Sequence, residues 1–217
     1  MENASKALIM AGSILIAIMV ISLLVMAYNN LTETMNAKND EEAIEQVIEF
    51  NKQYDVYYRN NLYGSDILSL ANKVADYNER QSKEQGYAKL DIEVTFSKTI
   101  EAYNKEKIIE KNTKYNSNNI NEKTKYLQDK INYFKKQTVA GKTIPSLSGL
   151  RSKELEELFK QANITSKEEK QKIQNQIYEY LGYNSALTTL KSKTFKATKF
   201  EYDNISKRIT KMIFKEN

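Results

Sequence analysis

The chain has 217 residues and a net charge of +5, with no His, Cys or Trp, one Pro, six Gly and 15 Tyr. Without Cys or His it cannot build a disulfide framework, a zinc finger, a haem site or a Cys/His nucleophile pair. Six glycines leave little material for phosphate-cradling loops, so carboxylate or Ser/Lys chemistry, a binding module or a structural part remain.

Ala7 to Tyr28 carries no charge and is dominated by Ile, Leu, Val, Met and Ala. As a helix these 22 residues extend ~33 Å, enough for a bilayer core of roughly 30 Å. Tyr28 closes the run at an interfacial position. The head Met1–Lys6 has one Lys, and Asn29–Glu42 has one Lys against Glu33, Asp40, Glu41 and Glu42. A short head inside and a long polar tail outside is the expected orientation. Val25-Met26-Ala27 offers a signal-peptidase site as the rival reading. The apolar run is longer than a signal-peptide core, which favours a retained anchor.

From Leu31 the helix is expected to continue as a stalk, with Met35, Ile44, Val47, Ile48, Tyr54 and Tyr58 as its apolar stripe. No Gly or Pro interrupts it from Ser13 to Tyr63. Asn36–Asp40 is where it would bend, because Asn and Asp favour caps. Gly64 punctuates the chain, and Ser65 is read as the cap of a second helix through Ile67, Leu70, Ala71, Val74 and Tyr77, closed by Gly86. Leu90 to Phe96 alternates with period two and predicts a strand with Leu90, Ile92, Val94 and Phe96 inward.

Residues 98–118 read as a loop or loosely held helix. A helix is predicted near 119–137 on Ile120, Leu127, Ile131 and Phe134. Residues 138–150, with Gly141, Pro145 and Gly149, read as a loop. Ser152 is the expected cap of a short helix through Leu155, Leu158 and Phe159. Thr165-Ser166 followed by Glu168-Glu169 is a capping signature, with Ile173, Ile177, Tyr180 and Leu181 behind it and Gly182 as terminator. Residues 193–202 and 207–215 are rich in Phe, Tyr, Ile and Thr and predict a β-hairpin around Asp203-Asn204. With strand 90–96 it would make a small antiparallel sheet bracketing a helical insertion, 98–190.

Charge divides unevenly: residues 29–97 are net −6 and residues 98–217 net +11. Such asymmetry suits an anionic partner for the basic half, or subunits pairing acidic to basic. Lys interleaves with Tyr and Phe at Lys123–Lys136 and Lys193–Lys199, the pattern of a stacking, single-strand-binding surface. Yet there are only four Arg beside 29 Lys and 22 Asn, a composition that points first to an A/T-rich coding bias. Gly141-Lys142-Thr143 ends like a phosphate-binding loop, but position 136 is Lys where that loop needs Gly. No Ser-x-x-Lys or Gly-x-Ser-x-Gly is present. Asp40-Glu41-Glu42 and Glu154-Glu156-Glu157 read as solvated helix faces, since a hard-cation site needs oxygens converging around a turn.

Glu2 to Gly12 and the apolar run after it resemble the start of a group of small single-pass proteins of Gram-positive, Clostridia-like bacteria. Glu49-Phe50-Asn51-Lys52-Gln53-Tyr54 and Asp66 to Val74 resemble that group too, so the likeness covers roughly residues 2–97. Their layout is similar to minor pilins or pseudopilins, including those of tight-adherence pili. It implies a long N-terminal helix, half in the membrane, carrying a small α+β head. A type IV prepilin has Glu five residues after its cleavage-site Gly; here Gly12 is followed at that spacing by Ala17.

The expected fold is α+β: a long N-terminal transmembrane helix continuing as a stalk, and a mostly helical head with a small antiparallel sheet. The expected domains are an anchor at 1–28, a stalk at 29–62 and an extracytoplasmic head at 63–217. The expected role is a single-pass, cell-surface structural or assembly protein with its N-terminus cytoplasmic. The alternative is a tethered module whose basic half binds anionic wall polymer, lipid or nucleic acid. Membrane lipid and protein partners, reached through the apolar helix and the head, are expected. Nothing points to a catalytic, cofactor-binding or metal-ligating residue, to a cofactor, or to a small-molecule substrate.

Overall fold

A computed structural model describes residues 2–81 and 88–217. The chain divides into two compact units, Met1–Gln53 and Tyr54–Asn217.

The first unit is a single helix, α1, which spans Glu2–Asp55 and ends two residues into the second unit. It passes unbroken through Gly12 and through Asn36–Asp40, where a bend was expected. Hydroxyls that compete with the helical backbone are turned back onto it. Ser22 donates to the Ile18 carbonyl, Thr32 to Tyr28 and Thr34 to Asn30. Gly12–Met35, 24 residues, is long and apolar enough to cross a membrane, and none of it is buried.

The second unit is α+β. After a two-residue strand β1 (Leu62–Tyr63), helix α2 covers Gly64–Gln81. Gly64 opens α2 itself, so Ser65 lies inside the first turn rather than capping it. Gly64 is required for close approach: a Cβ there would meet the Leu190 carbonyl oxygen at 1.8 Å. Gly86, the expected end of this region, lies outside the described residues. Strand β2 (Asp91–Thr95) follows, with Leu90, Ile92, Val94 and Phe96 all buried as its alternation predicted.

Residues 98–118 are ordered pairings rather than a loop or loose helix. Strands β3 (Ile100–Glu101) and β4 (Lys107–Ile109) form a hairpin around a 3₁₀ turn at Tyr103–Lys105, and β5 (Lys114–Tyr115) pairs with β2. Ile100, Ile108, Ile109 and Tyr115 are buried and hold these strands, which are too short to show a period. Helix α3 (Ser117–Lys136) starts from a capping box between Asn116 and Asn119. The expected loop at 138–150 contains strands β6 (Thr138–Val139) and β7 (Lys142–Thr143) and a short helix α4 (Ile144–Ser148). Helix α5 (Ser152–Gln161) takes Arg151 as its N-cap, with Ser152 already helical.

Helix α6 (Lys167–Ser192) is capped by Ser166, whose hydroxyl accepts from the Glu169 amide. It does not stop at Gly182. Strands β8 (Thr194–Tyr202) and β9 (Ile209–Glu216) form the predicted hairpin.

The main sheet has five strands in the order β1-β8-β9-β2-β5. It is mixed, not antiparallel: β2 runs parallel to β9, Ile92 beside Met212 and Val94 beside Phe214. A parallel pair needs a long crossover, and the segment from β3 to α6 fits between these two strands. One face of the sheet packs on α2 and α3, and α6 packs on those two helices. Leu70, Val74, Leu127 and Leu190 on these helices and Ile92, Val94, Met212 and Phe214 on the strands are all buried. Phe96 stands edge-on to Phe195 at 5.3 Å and to Tyr115 at 5.7 Å.

Candidate functional surface

The alternation that buries one face of the sheet turns charged residues onto the other. On β2, Asp91, Glu93 and Thr95 stand opposite in sense to Ile92 and Val94, and on β9 Lys211, Ile213 and Lys215 alternate with Met212 and Phe214. Glu93 sits at the centre of this outer face. Its carboxylate takes Lys114 from β5 at 2.8 Å and Lys211 from β9 at 3.0 Å. The hydrogen bonds from Lys114 and Lys211 hold the Glu93 carboxyl below the usual carboxylate range. Lys199 and Glu201 form a further pair at 2.8 Å on β8.

Glu216 closes one end of the sheet. Its carboxylate receives the Lys193 ammonium and the amides of Ser97 (2.8 Å) and Lys98 (3.4 Å), so it joins the ends of β2, β8 and β9. Both partners of the ion pair are enclosed, with side chains 10% and 8% exposed. Burial alone would raise the pKa of Glu216. The Lys193 contact and the two amides outweigh that and leave it below the ordinary value.

A second polar cluster lies where the β3–β4 turn meets α3 and α6. Glu106 accepts hydrogen bonds from the Tyr126 hydroxyl (2.7 Å) and the Tyr183 hydroxyl (3.0 Å). The Lys130 ammonium lies 5.5 Å and 5.6 Å from the same two ring centroids. Burial, then the contacts with Tyr126 and Glu106, push the Tyr183 phenol well above its usual range. Asn104 and Lys105 in this turn have φ of 53° and 62°, left-handed values that cost non-glycine residues conformational energy. A shallow open groove between α3 and α6 runs past it, lined by Tyr126, Asp129, Tyr133, Gln176 and Glu179.

The motifs weighed in the sequence take ordinary structural places. Gly141 has φ of +75° in the turn joining β6 and β7, and the Thr143 side chain accepts from the Ser146 amide to cap α4. Glu154 accepts the Arg151 amide at the start of α5, and Glu156 pairs with Lys170. Among the described residues, no three acidic side chains gather as a metal site. Part of the Lys/Tyr interleaving is internal: Lys123 lies over Tyr115, and Lys130 over Tyr126 and Tyr183.

No family model, curated protein or solved structure matches the chain. Function must therefore be read from its own surfaces. No local pattern in the sequence marks the outer face of the sheet, because its residues are brought together by strand register. Glu93 and Lys211 are 118 positions apart.

Proposed function

We propose that the chain is a single-pass, membrane-anchored structural or assembly protein with a pilin- or pseudopilin-like layout, acting without chemistry. The observation that carries this reading is Gly12–Met35: a 24-residue span, apolar overall and not buried, in a helix that runs unbroken to Asp55. Apolar surface on that scale is covered in use by lipid or by neighbouring helices. Residues 1–6 stay cytoplasmic and the α+β unit is displayed outside; partners meet that unit outside and the apolar helix within the membrane. A cysteine-free exported unit must take its stability from packing, and its core of Phe, Ile and Leu fits that demand.

The test is membrane fractionation with alkaline extraction, protease protection and N-terminal sequencing of the mature protein. The full chain should stay with the extracted membrane, and protease added outside should digest the α+β unit. A mature start at Tyr28 would refute the anchor, and a start at Ser13 would show prepilin-type processing. A second reading, a tethered module that binds a polyanion, is favoured by the net +11 of residues 98–217.

A further inference from the structure

The register of the five-stranded sheet lines up one row of its outer face. Lys196 on β8 is directly opposite Lys215 on β9, Lys215 is beside Thr95 on β2, and Thr95 is opposite Lys114 on β5. Three lysines and a hydroxyl thus form a line across four strands, about 14 Å from end to end at the usual strand spacing. Lys196 and Lys215 are exposed and unpaired with any acid among the described residues. The Lys114 side chain is 70% exposed although it touches Glu93. Directly opposed like charges weaken a strand pair. The arrangement is relieved by an anion placed between the two ammoniums.

We propose that this row binds a linear phosphodiester polymer of the polyol-phosphate kind, laid across the strands. It rests on the tethered-module reading only for where such a polymer would be met. Charge and shape select this class. The row itself carries +3, whereas the rest of the face, Asp91, Glu93, Lys199, Glu201 and Lys211, sums to −1. A line of phosphates laid along the row meets Lys196 and Lys215 away from any acid and comes near a carboxylate only at Glu93, beside Lys114. A planar anionic membrane would also be pressed against Asp91, Glu93 and Glu201. A single-stranded nucleic acid needs aromatic platforms for its bases. The row offers only Lys and Thr, and the adjoining residue on β9 is Ile213. A polymer without bases loses nothing on such a surface.

The test uses the full chain in non-ionic detergent micelles, so its outcome does not depend on whether α1 crosses a membrane. Binding of a synthetic oligo(glycerol phosphate) is followed calorimetrically at low and high salt. Wild type should bind at low salt and weaken steeply as salt rises. The Lys196→Gln/Lys215→Gln double variant should bind at least about tenfold more weakly. Lys199→Gln, whose lysine is held by Glu201 on the next row, should stay within about twofold. The double variant should keep the wild-type circular dichroism and melt no earlier, since it relieves repulsion. Three results would overturn the proposal. The first is no salt-sensitive binding by wild type. The second is a double variant that binds like wild type. The third is tighter capture of oligothymidylate, or of anionic over neutral vesicles, that the double substitution abolishes.

Discussion

Replacing Glu216 by Gln would leave the Lys193 ammonium enclosed without its counter-charge. The pair is nearly closed to water, and its carboxylate also takes two main-chain amides from the end of β2. Breaking such a pair from one side costs more than the pair contributes, because an uncompensated charge remains buried. Glu216→Gln should therefore cost about 3 kcal/mol, read as a lower melting temperature at neutral pH. Lys193→Met with Glu216→Gln should recover most of that loss, since both charges leave together and the new side-chain carbonyl can still accept the main-chain amides. The same carboxyl sets an acid limit. Its pKa is lower in the folded chain than the roughly 4.3 of an unfolded Glu. Its contribution is complete above that value and disappears as pH falls through the folded pKa. Melting curves of wild type and Glu216→Gln should converge on the acid side. A gap that stays constant from neutral pH to pH ~3 would contradict this.

At the level of elements, Gly182 shows a tertiary contact deciding where a helix may carry glycine. A glycine in a helix interior is unfavourable by about 1 kcal/mol against alanine. Here a Cβ would meet the Tyr103 amide nitrogen at 2.8 Å and its Cα at 3.0 Å, so the β3–β4 turn lies directly on the α6 backbone. Gly182→Ala should lower stability by about 1–3 kcal/mol despite the better helix propensity. Gly149→Ala is the contrast. That residue has φ of −87°, and its nearest neighbour to a new Cβ is the Ser146 carbonyl oxygen at 3.8 Å. It should hold or gain a few tenths of a kcal/mol, and parallel thermal melts check the pair. The same contrast marks what the chain reveals locally. The alternation at 90–96 and the C-terminal hairpin are legible because burial of one face writes a period of two into neighbouring residues. The capping of α6 by Ser166 is legible because a cap is local. Gly182 looks like a terminator until Tyr103, 79 positions away, is folded against it. The parallel pairing of β2 with β9 has no local code at all. Lys196 faces Lys215 through the hairpin, but Thr95 and Lys114 join that row only through the pairing of β2 with β9 and β5, which the sequence does not announce.

At the level of the whole molecule, the division at Gln53/Tyr54 makes a claim that can be measured. All the strands and the helices α2 to α6 lie in the second unit, as does Tyr54, which is 2% exposed. Burial, with smaller contributions from Tyr77 and Tyr57, pushes the Tyr54 phenol up to about 12. A fragment of residues 50–217 keeps that tyrosine and one helical turn before it, and removes the exposed apolar helix. It should be soluble without detergent and unfold in one cooperative transition. A heat-capacity change near 2 kcal/mol/K is expected for a chain of about that length. Spectrophotometric titration gives a second reading of the same state. Tyr54 should resist ionisation until well above pH 10 in the folded fragment and titrate near 10 once unfolded. Because its folded pKa is the higher one, the stability it lends is present below pH 10 and lost as pH rises through about 12. A broad, low-enthalpy transition, with every tyrosine titrating together near 10, would show that residues 54–217 need the preceding helix in order to fold.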